Sequence, residues 1–203
     1  LSTLPDEDFI SGLGEIVKYA LLGNTVVAQA IREHSKEILA RNEEVLVSVI
    51  RASMNHKVQV VALDPFERNG LRATLNLGHT LAHAIEKLTG YSIAHGVAVA
   101  IGLRFALQVS LDMERISKEQ YKESVELIDL LGLESVIPDQ AADVDALVDV
   151  MYSDKKSLGN ISMILCKSDG GAELVHDVDV DIIKTSLSKF AGLSSAGHSS
   201  GDG

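Results

Sequence analysis

The chain has 203 residues, 46% of them hydrophobic, and carries 18 lysines and arginines against 29 aspartates and glutamates, for a net charge of −11. This is enough apolar material for a substantial core, and so acidic a chain is a poor candidate for binding nucleic acid, which needs a basic stripe. Aromatic residues make up only 4% and tryptophan is absent, which favours a helical core of leucine, isoleucine, valine and alanine over a β-sandwich.

Cysteine usage and hydropathy indicate the compartment. The single cysteine, Cys166, excludes an internal disulfide framework and is typical of a reducing environment. No stretch approaches the roughly 20 apolar residues of a membrane span, and no signal peptide is visible at the N-terminus. We therefore expect a cytoplasmic protein with no membrane partner.

The first predicted helix begins near Asp6, with acidic residues in its first turn, and ends at Gly23. Glu15 and Lys18 lie three residues apart on it. Such a pair is ordinarily solvated and contributes about a few tenths of a kcal/mol. Glu15 directly follows Gly14, however, where a glycine would let another group approach closely.

Two further helices are predicted, from Val26 to Arg41 and from Glu43 to Leu63. The second carries Lys57 near its middle, by default a surface lysine whose stem packs along the helix. Pro65 and the turn residues Asn69-Gly70 then indicate a loop.

Five polar residues follow this loop at spacings of four, three, four and three, which predicts a single helix with one polar stripe. Leucine and alanine residues flank the stripe on both sides, so we expect it to line a buried polar cavity rather than face solvent. The stripe consists of Arg72, Asn76, His79, His83 and Glu86.

A third histidine, His95, precedes the next predicted helix, Val97 to Val109. Two imidazoles one helical turn apart, with a third from an adjacent helix end, can bind a divalent metal. A histidine on an apolar helix face is more often a satisfied core residue. Spacing alone therefore leaves a structural role for His79, His83 and His95 as open as a metal site.

The second half of the chain is predicted to contain three helices and a β-hairpin. A capping box at Ser117–Gln120 begins the first of these helices. The remaining predicted elements are a helix from Asp143 to Met151, strands at Ile161 to Cys166 and Ala172 to Val175, and a helix from Asp179 to Phe190.

These patterns predict a mainly α, multi-helical domain over residues 1–190 with a small β-hairpin. The Gly- and Ser-rich residues 191–203 are predicted to form a disordered tail. The chain contains no GxGxxG motif after a strand, no P-loop and no alternation of strands and helices. This chain alone is therefore not expected to form a Rossmann-type nucleotide-binding fold.

Four blocks resemble, in order, the C-terminal domain of the 3-dehydroquinate synthase family, within the sugar phosphate cyclase superfamily. They are SGLGEIVKYALLGN at 11–24, GLRATLNLGHTLAHAIE at 70–86, HGVAVAIGL at 95–103 and DKK at 154–156. The block with the paired histidines is the most specific of the four. The resemblance implies a helical C-terminal domain packed against an N-terminal NAD-binding α/β domain, with the active site in the cleft between them.

Carried over residue by residue, the resemblance implies a catalytic zinc, or another divalent metal such as cobalt, held by Glu15, His79 and His95. Three protein ligands leave one position open for the substrate. His83 then becomes a substrate contact rather than a ligand. The substrate-binding set that the resemblance implies is Lys18, Lys57, Arg72, Asn76, His83, Lys155 and Lys156.

The activity that the resemblance implies is conversion of 3-deoxy-arabino-heptulosonate 7-phosphate to 3-dehydroquinate and phosphate. This is a step of the shikimate pathway to aromatic amino acids, catalysed by a homodimer with NAD on its N-terminal domain. The chain would be a fragment, or one piece of a split enzyme, and inactive alone. Two alternatives stay open: another sugar phosphate cyclase such as an inosose synthase, and a non-catalytic helical scaffold. Lys57 and Arg72 favour the acid substrate, whose carboxylate needs a matching cation.

The chain departs from the family pattern at two places. Val97 stands where the family usually has glutamate after His95-Gly96, so a carboxylate partner of the metal site is expected to be lost. The loop from Asp64 to Gly70 differs in spacing from some members, which leaves open whether Glu67 matches the family's acidic residue there.

Overall fold

The computed structural model describes residues 1, 3–133, 136–153 and 161–196. Over these residues the chain forms eight α-helices, two short 3₁₀ segments and one antiparallel β-hairpin. The predicted mainly helical architecture with a small hairpin is thus confirmed. Residues 154–160, which include Lys155 and Lys156, and residues 197–203 of the predicted tail lie outside the described residues.

The first three helices follow one another through short connections and lie close to their predicted positions. They are α1 (Asp6–Leu21), α2 (Thr25–Leu39) and α3 (Glu43–Leu63). Asparagine caps the second and third: the Asn24 and Asn42 side chains accept hydrogen bonds from the N–H groups of Val27 and Val45. Such caps satisfy amide groups that have no partner inside the helix.

The prediction of one continuous helix through the polar stripe is wrong. Arg72–Asn76 forms a 3₁₀ segment, and a separate helix, α4, covers His79–Leu88. Between them Gly78 adopts a φ of 82°. The break has a tertiary cause, because a Cβ atom at Gly102 would lie 2.0 Å from the carbonyl oxygen of Gly78. The backbones at Gly78 and Gly102 can come this close because neither residue has a Cβ atom.

Helix α5 (His95–Asp112) forms the centre of the domain. It is apolar nearly all round, as expected of a helix that has no solvent face. It packs against α1, α4, the helices α6 (Lys118–Leu130) and α8 (Val180–Ala196), and the first strand of the hairpin. It begins at His95, two residues before its predicted start, so His95 belongs to its first turn. Over the described residues, no helix is both long enough and apolar enough to cross a lipid bilayer.

Glycines also determine how α1 and α5 cross. A Cβ atom at Gly14 would lie 2.0 Å from the carbonyl oxygen of Gly96, and one at Gly96 would lie 1.7 Å from that of Ser11. The N–H of Gly96 donates to Ser11 Oγ at 3.0 Å. Glu15 and His95 are the neighbours of these glycines in sequence, so the crossing brings their side chains together.

The remaining elements close the core on the other side of α5. The predicted capping box is present, with Ser117 and Gln120 exchanging hydrogen bonds at the start of α6. The second strand and the last helix each run beyond their predicted ends at Val175 and Phe190. The bounds are α7 (Val144–Ser153), β1 (Ile161–Cys166), β2 (Ala172–Val178) and α8 (Val180–Ala196).

Candidate metal centre and adjoining cavities

Three side chains from three helices converge at one point. Glu15 comes from α1, and His79 and His95 are the first residues of α4 and α5. Glu15 Oε1 lies 3.2 Å from His95 Nε2 and 3.5 Å from His79 Nε2. One ligand atom from each residue lies within 4.8 Å of the others. These are the three residues that the family resemblance implies as metal ligands.

A buried oxygen without a hydrogen bond shows that the three residues fit a cation. Among the described residues, no donor forms a hydrogen bond with Glu15 Oε1, although the atom is buried. An unsatisfied buried group of this kind costs about 1–3 kcal/mol, and more when charged. A divalent metal would satisfy it, and two imidazole nitrogens with one carboxylate suit zinc or cobalt.

The second nitrogen of each histidine has an acceptor of its own. His79 Nδ1 lies 3.1 Å from the carbonyl oxygen of Leu77, and His95 Nδ1 lies 2.9 Å from Glu86 Oε1. An N–H donated from Nδ1 leaves Nε2 with the lone pair that binds a metal. His95 therefore has a carboxylate partner in Glu86, although Val97 supplies none.

Lys18 is not the solvated partner that its spacing from Glu15 ordinarily indicates. It is buried, and its Nζ lies 2.6 Å from Glu15 Oε2. Burial alone would raise the pKa of Glu15, but the charges of Lys18, His79 and His95 and the hydrogen bond from Lys18 outweigh it and lower that pKa. Burial, with the charge of Lys18, also lowers the pKa of His79. An ionised carboxylate and a neutral imidazole are the forms that bind metals.

A cavity of about 410 Å³ opens from the three ligands. It is lined by four of the residues predicted to bind the substrate, which are Lys18, Lys57, Arg72 and Asn76. Lys57 is exposed on α3, and Arg72 Nη1 donates to the carbonyl oxygen of Pro65 at 2.9 Å. The cavity thus brings the three candidate metal ligands next to three cationic groups.

A second cavity, of about 620 Å³, lies on the other side of Asn76 and His79, which line both. His83 lines only this second one, and its ring centroid lies 5.6 Å from that of His79. The spacing of the histidines had allowed a metal held by His79, His83 and His95. The fold instead brings His79 and His95 together with Glu15. The far wall includes His176 of the hairpin, which no sequence pattern singled out.

Glu67 lines both cavities, and its backbone explains how it is placed there. Its φ of 54° is a left-handed conformation, which costs a residue other than glycine on the order of 1 kcal/mol and is found preferentially at ligand sites. The carboxylate of Asp64 imposes it by accepting the N–H groups of Arg68 and Arg72 at 2.8 and 3.0 Å. Burial opposes ionisation of Asp64, but these bonds lower its pKa. The turn residues predicted a loop here, but not the direction of Glu67.

Comparison with known proteins identifies the family. The family model described as 3-dehydroquinate synthase C-terminal matches residues 12–157. The chain is 37% identical over 180 residues to the 3-dehydroquinate synthase of Rhodopirellula baltica, covering 88% of this chain and 48% of that protein. It is also 37% identical over 192 residues to that of Acidithiobacillus ferrooxidans, covering 94% and 52%. The chain thus spans about half the length of these curated relatives.

Two solved structures share the fold at low sequence identity. One is 2-epi-5-epi-valiolone synthase from Streptomyces hygroscopicus with NAD⁺ and Zn²⁺ bound, with a TM-score of 0.74 at 19% identity over 94% of this chain and 53% of that one. The other is 2-deoxy-scyllo-inosose synthase complexed with carbaglucose-6-phosphate, NAD⁺ and Co²⁺, with a TM-score of 0.73 at 23% identity over 93% and 54%. The chain itself belongs to the 3-dehydroquinate synthase family and corresponds to its C-terminal domain.

Proposed function

We propose that this chain is the metal- and substrate-binding half of a 3-dehydroquinate synthase. It would convert 3-deoxy-arabino-heptulosonate 7-phosphate to 3-dehydroquinate and phosphate, together with an NAD-binding domain outside this chain. The observation that carries the proposal is the cavity in which Glu15, His79 and His95 adjoin three cationic side chains. The identity to 3-dehydroquinate synthases over most of the chain supports the same reaction.

Glu15, His79 and His95 would hold zinc or cobalt. Bound there, the metal would act as a Lewis acid that lowers the pKa of a substrate hydroxyl and so eases hydride loss to NAD. The chain's own contribution is to keep the ligands in their metal-binding forms. The ion pair with Lys18 holds Glu15 ionised, and the burial of His79 keeps its imidazole neutral.

The cationic groups suit a substrate with negative charge at both ends. Arg72 presents a planar guanidinium that matches a carboxylate or a phosphate, whereas Lys57 is a mobile point charge at the rim. Asn76 lies between the two cavities, where its amide can hydrogen-bond a ring hydroxyl. A substrate that extends past Asn76 would bring its far end to His83. The protein thus orients the substrate and stabilises its charges.

Phosphate release measures the reaction directly. The protein, supplied with its NAD-binding domain, NAD⁺ and Zn²⁺, should release phosphate from the seven-carbon acid phosphate and not from a neutral sugar phosphate of similar size. Arg72→Lys should lower kcat/KM about 10- to 100-fold, since a charge-assisted hydrogen bond contributes about 1.5–3 kcal/mol. Lys122→Ala, which removes an exposed cation away from the site, is the matched control.

The alternatives give different results in the same assay. Phosphate release only from the neutral sugar phosphate would assign the chain to another cyclase, such as an inosose synthase. A protein that binds neither metal nor substrate would be a helical scaffold.

A further inference from the structure

Glu86 is a carboxylate on α4 that none of the proposed catalytic roles uses. Its side chain is 12% exposed, and its Oε1 lies 2.9 Å from His95 Nδ1. We infer that Glu86 is a positioning residue, which holds His95 in the ring orientation and tautomer that bind the metal through Nε2. This inference rests on the metal site of the proposed function and deepens it.

His95 needs such a partner more than the other histidine ligand does. The side chain of His79 is 12% exposed, whereas that of His95 is 47% exposed. Surrounding atoms therefore restrain the His95 ring weakly, and the χ2 angle of histidine is intrinsically broad. A hydrogen bond from Nδ1–H to Glu86 selects one orientation. It also directs the lone pair of Nε2 towards Glu15 Oε1, 3.2 Å away.

The backbone of Glu86 is tied to the same connection. Its carbonyl oxygen accepts the N–H of Tyr91 at 2.7 Å, and both Gly90 and Tyr91 have a φ of 61°. The backbone of Glu86 thus holds the turn between α4 and α5. The side chain of Glu86 contacts His95, the first residue of α5. One residue thereby sets the position of His95 through two separate contacts.

This arrangement explains how the site can tolerate Val97. The Val97 side chain packs against the hydrophobic core, and the carboxylate that contacts His95 comes from the preceding helix instead. An anionic acceptor on Nδ1 orients the ring and makes the coordinating nitrogen more basic. Loss of such a partner typically lowers metal affinity 10- to 100-fold.

Cobalt titration of the metal-free protein, in its native polypeptide context, tests the inference through the visible absorption of Co²⁺. We expect Glu86→Ala to weaken Co²⁺ binding about 10- to 100-fold. Glu86→Gln should lose less, because its amide oxygen still accepts the hydrogen bond. Glu123→Ala, which removes an exposed carboxylate from α6, is the matched control and should bind as the parent does. If Glu86→Ala binds Co²⁺ as tightly as this control, the inference is wrong.

The tautomer gives a readout that needs no Glu86 variant. In ¹⁵N spectra of the metal-free parent, the neutral His95 ring should carry its proton on Nδ1, the nitrogen that lies 2.9 Å from Glu86 Oε1. Its signal is identified by its loss in His95→Gln. A proton on Nε2 would overturn the inference even if Glu86→Ala failed to fold. A parent that binds no Co²⁺ would remove the proposed metal site as well, whereas tight binding without cyclase activity would contradict only the proposed reaction.

Discussion

A single methyl group at Gly14 should separate the metal ligands. A Cβ atom there would lie 2.0 Å from the carbonyl oxygen of Gly96 and 2.7 Å from its carbonyl carbon. Contacts below 3.0 Å are essentially never seen for real Cβ atoms, so α1 and α5 must move apart by at least about 1 Å. Both clashing atoms are backbone, and no side-chain rotation can relieve them.

The expected cost has two parts. Overpacking of a close helix crossing typically destabilises a protein by about 1–3 kcal/mol. The same movement carries Glu15 away from His95. In the parent, Glu15 Oε1 and His95 Nε2 lie 3.2 Å apart. A misplacement of about 1 Å can cost on the order of 100-fold in function at a preorganised site. We therefore expect Gly14→Ala to lower both the urea midpoint and the Co²⁺ affinity.

Gly12 provides the control, since it lies on the same helix and an added Cβ would meet no atom within 4 Å. Gly12→Ala should stabilise the protein by about 0.5–1 kcal/mol through helix propensity alone and leave metal binding unchanged. Urea unfolding and Co²⁺ titration of the two variants make the comparison. Equal stability and equal metal affinity in both would refute the argument that this crossing assembles the site.

His79→Ala should remain folded by circular dichroism but retain no zinc by elemental analysis; a full zinc complement would refute the ligand assignment. Burial would raise the pKa of Asp112, but hydrogen bonds that include those from Lys189 and Ser186 lower it. As pH falls through about 4, Asp112 takes up a proton in the unfolded chain before it does so in the folded protein, so the free energy of unfolding decreases. Asp112→Asn should make the free energy of unfolding depend less on pH in this range. Burial raises the pKa of Cys166 to about 12, so a thiol reagent at pH 8 should react only as fast as the protein unfolds. Rapid labelling of the folded state would contradict this.

Most elements could be predicted because their signals are local. The capping box at Ser117 and Gln120 and the β-hairpin lie where the pattern predicts them. The asparagine caps of α2 and α3 also act within a few residues. The apolar run of α5 likewise predicts a helix without a solvent face. Such signals need no knowledge of the tertiary fold.

The polar stripe shows where local reasoning fails. The spacing of Arg72, Asn76 and His79 fits a continuous helix, but the contact between Gly78 and Gly102 interrupts it. A residue distant in sequence causes that break, so periodicity within the segment contains no sign of it. The same holds for Glu67, which Asp64 turns towards the cavities through backbone hydrogen bonds.

The sequence by itself determined the helical class, the hairpin and, through family resemblance, the identity of the candidate ligands. Spacing alone would have grouped His79 with His83, because both lie on one helix face. Only the tertiary structure shows how Glu15 comes to lie beside His79 and His95. The physical reason is that α1 reaches α5 at a crossing where two glycines remove the side chains that would otherwise keep the helices apart.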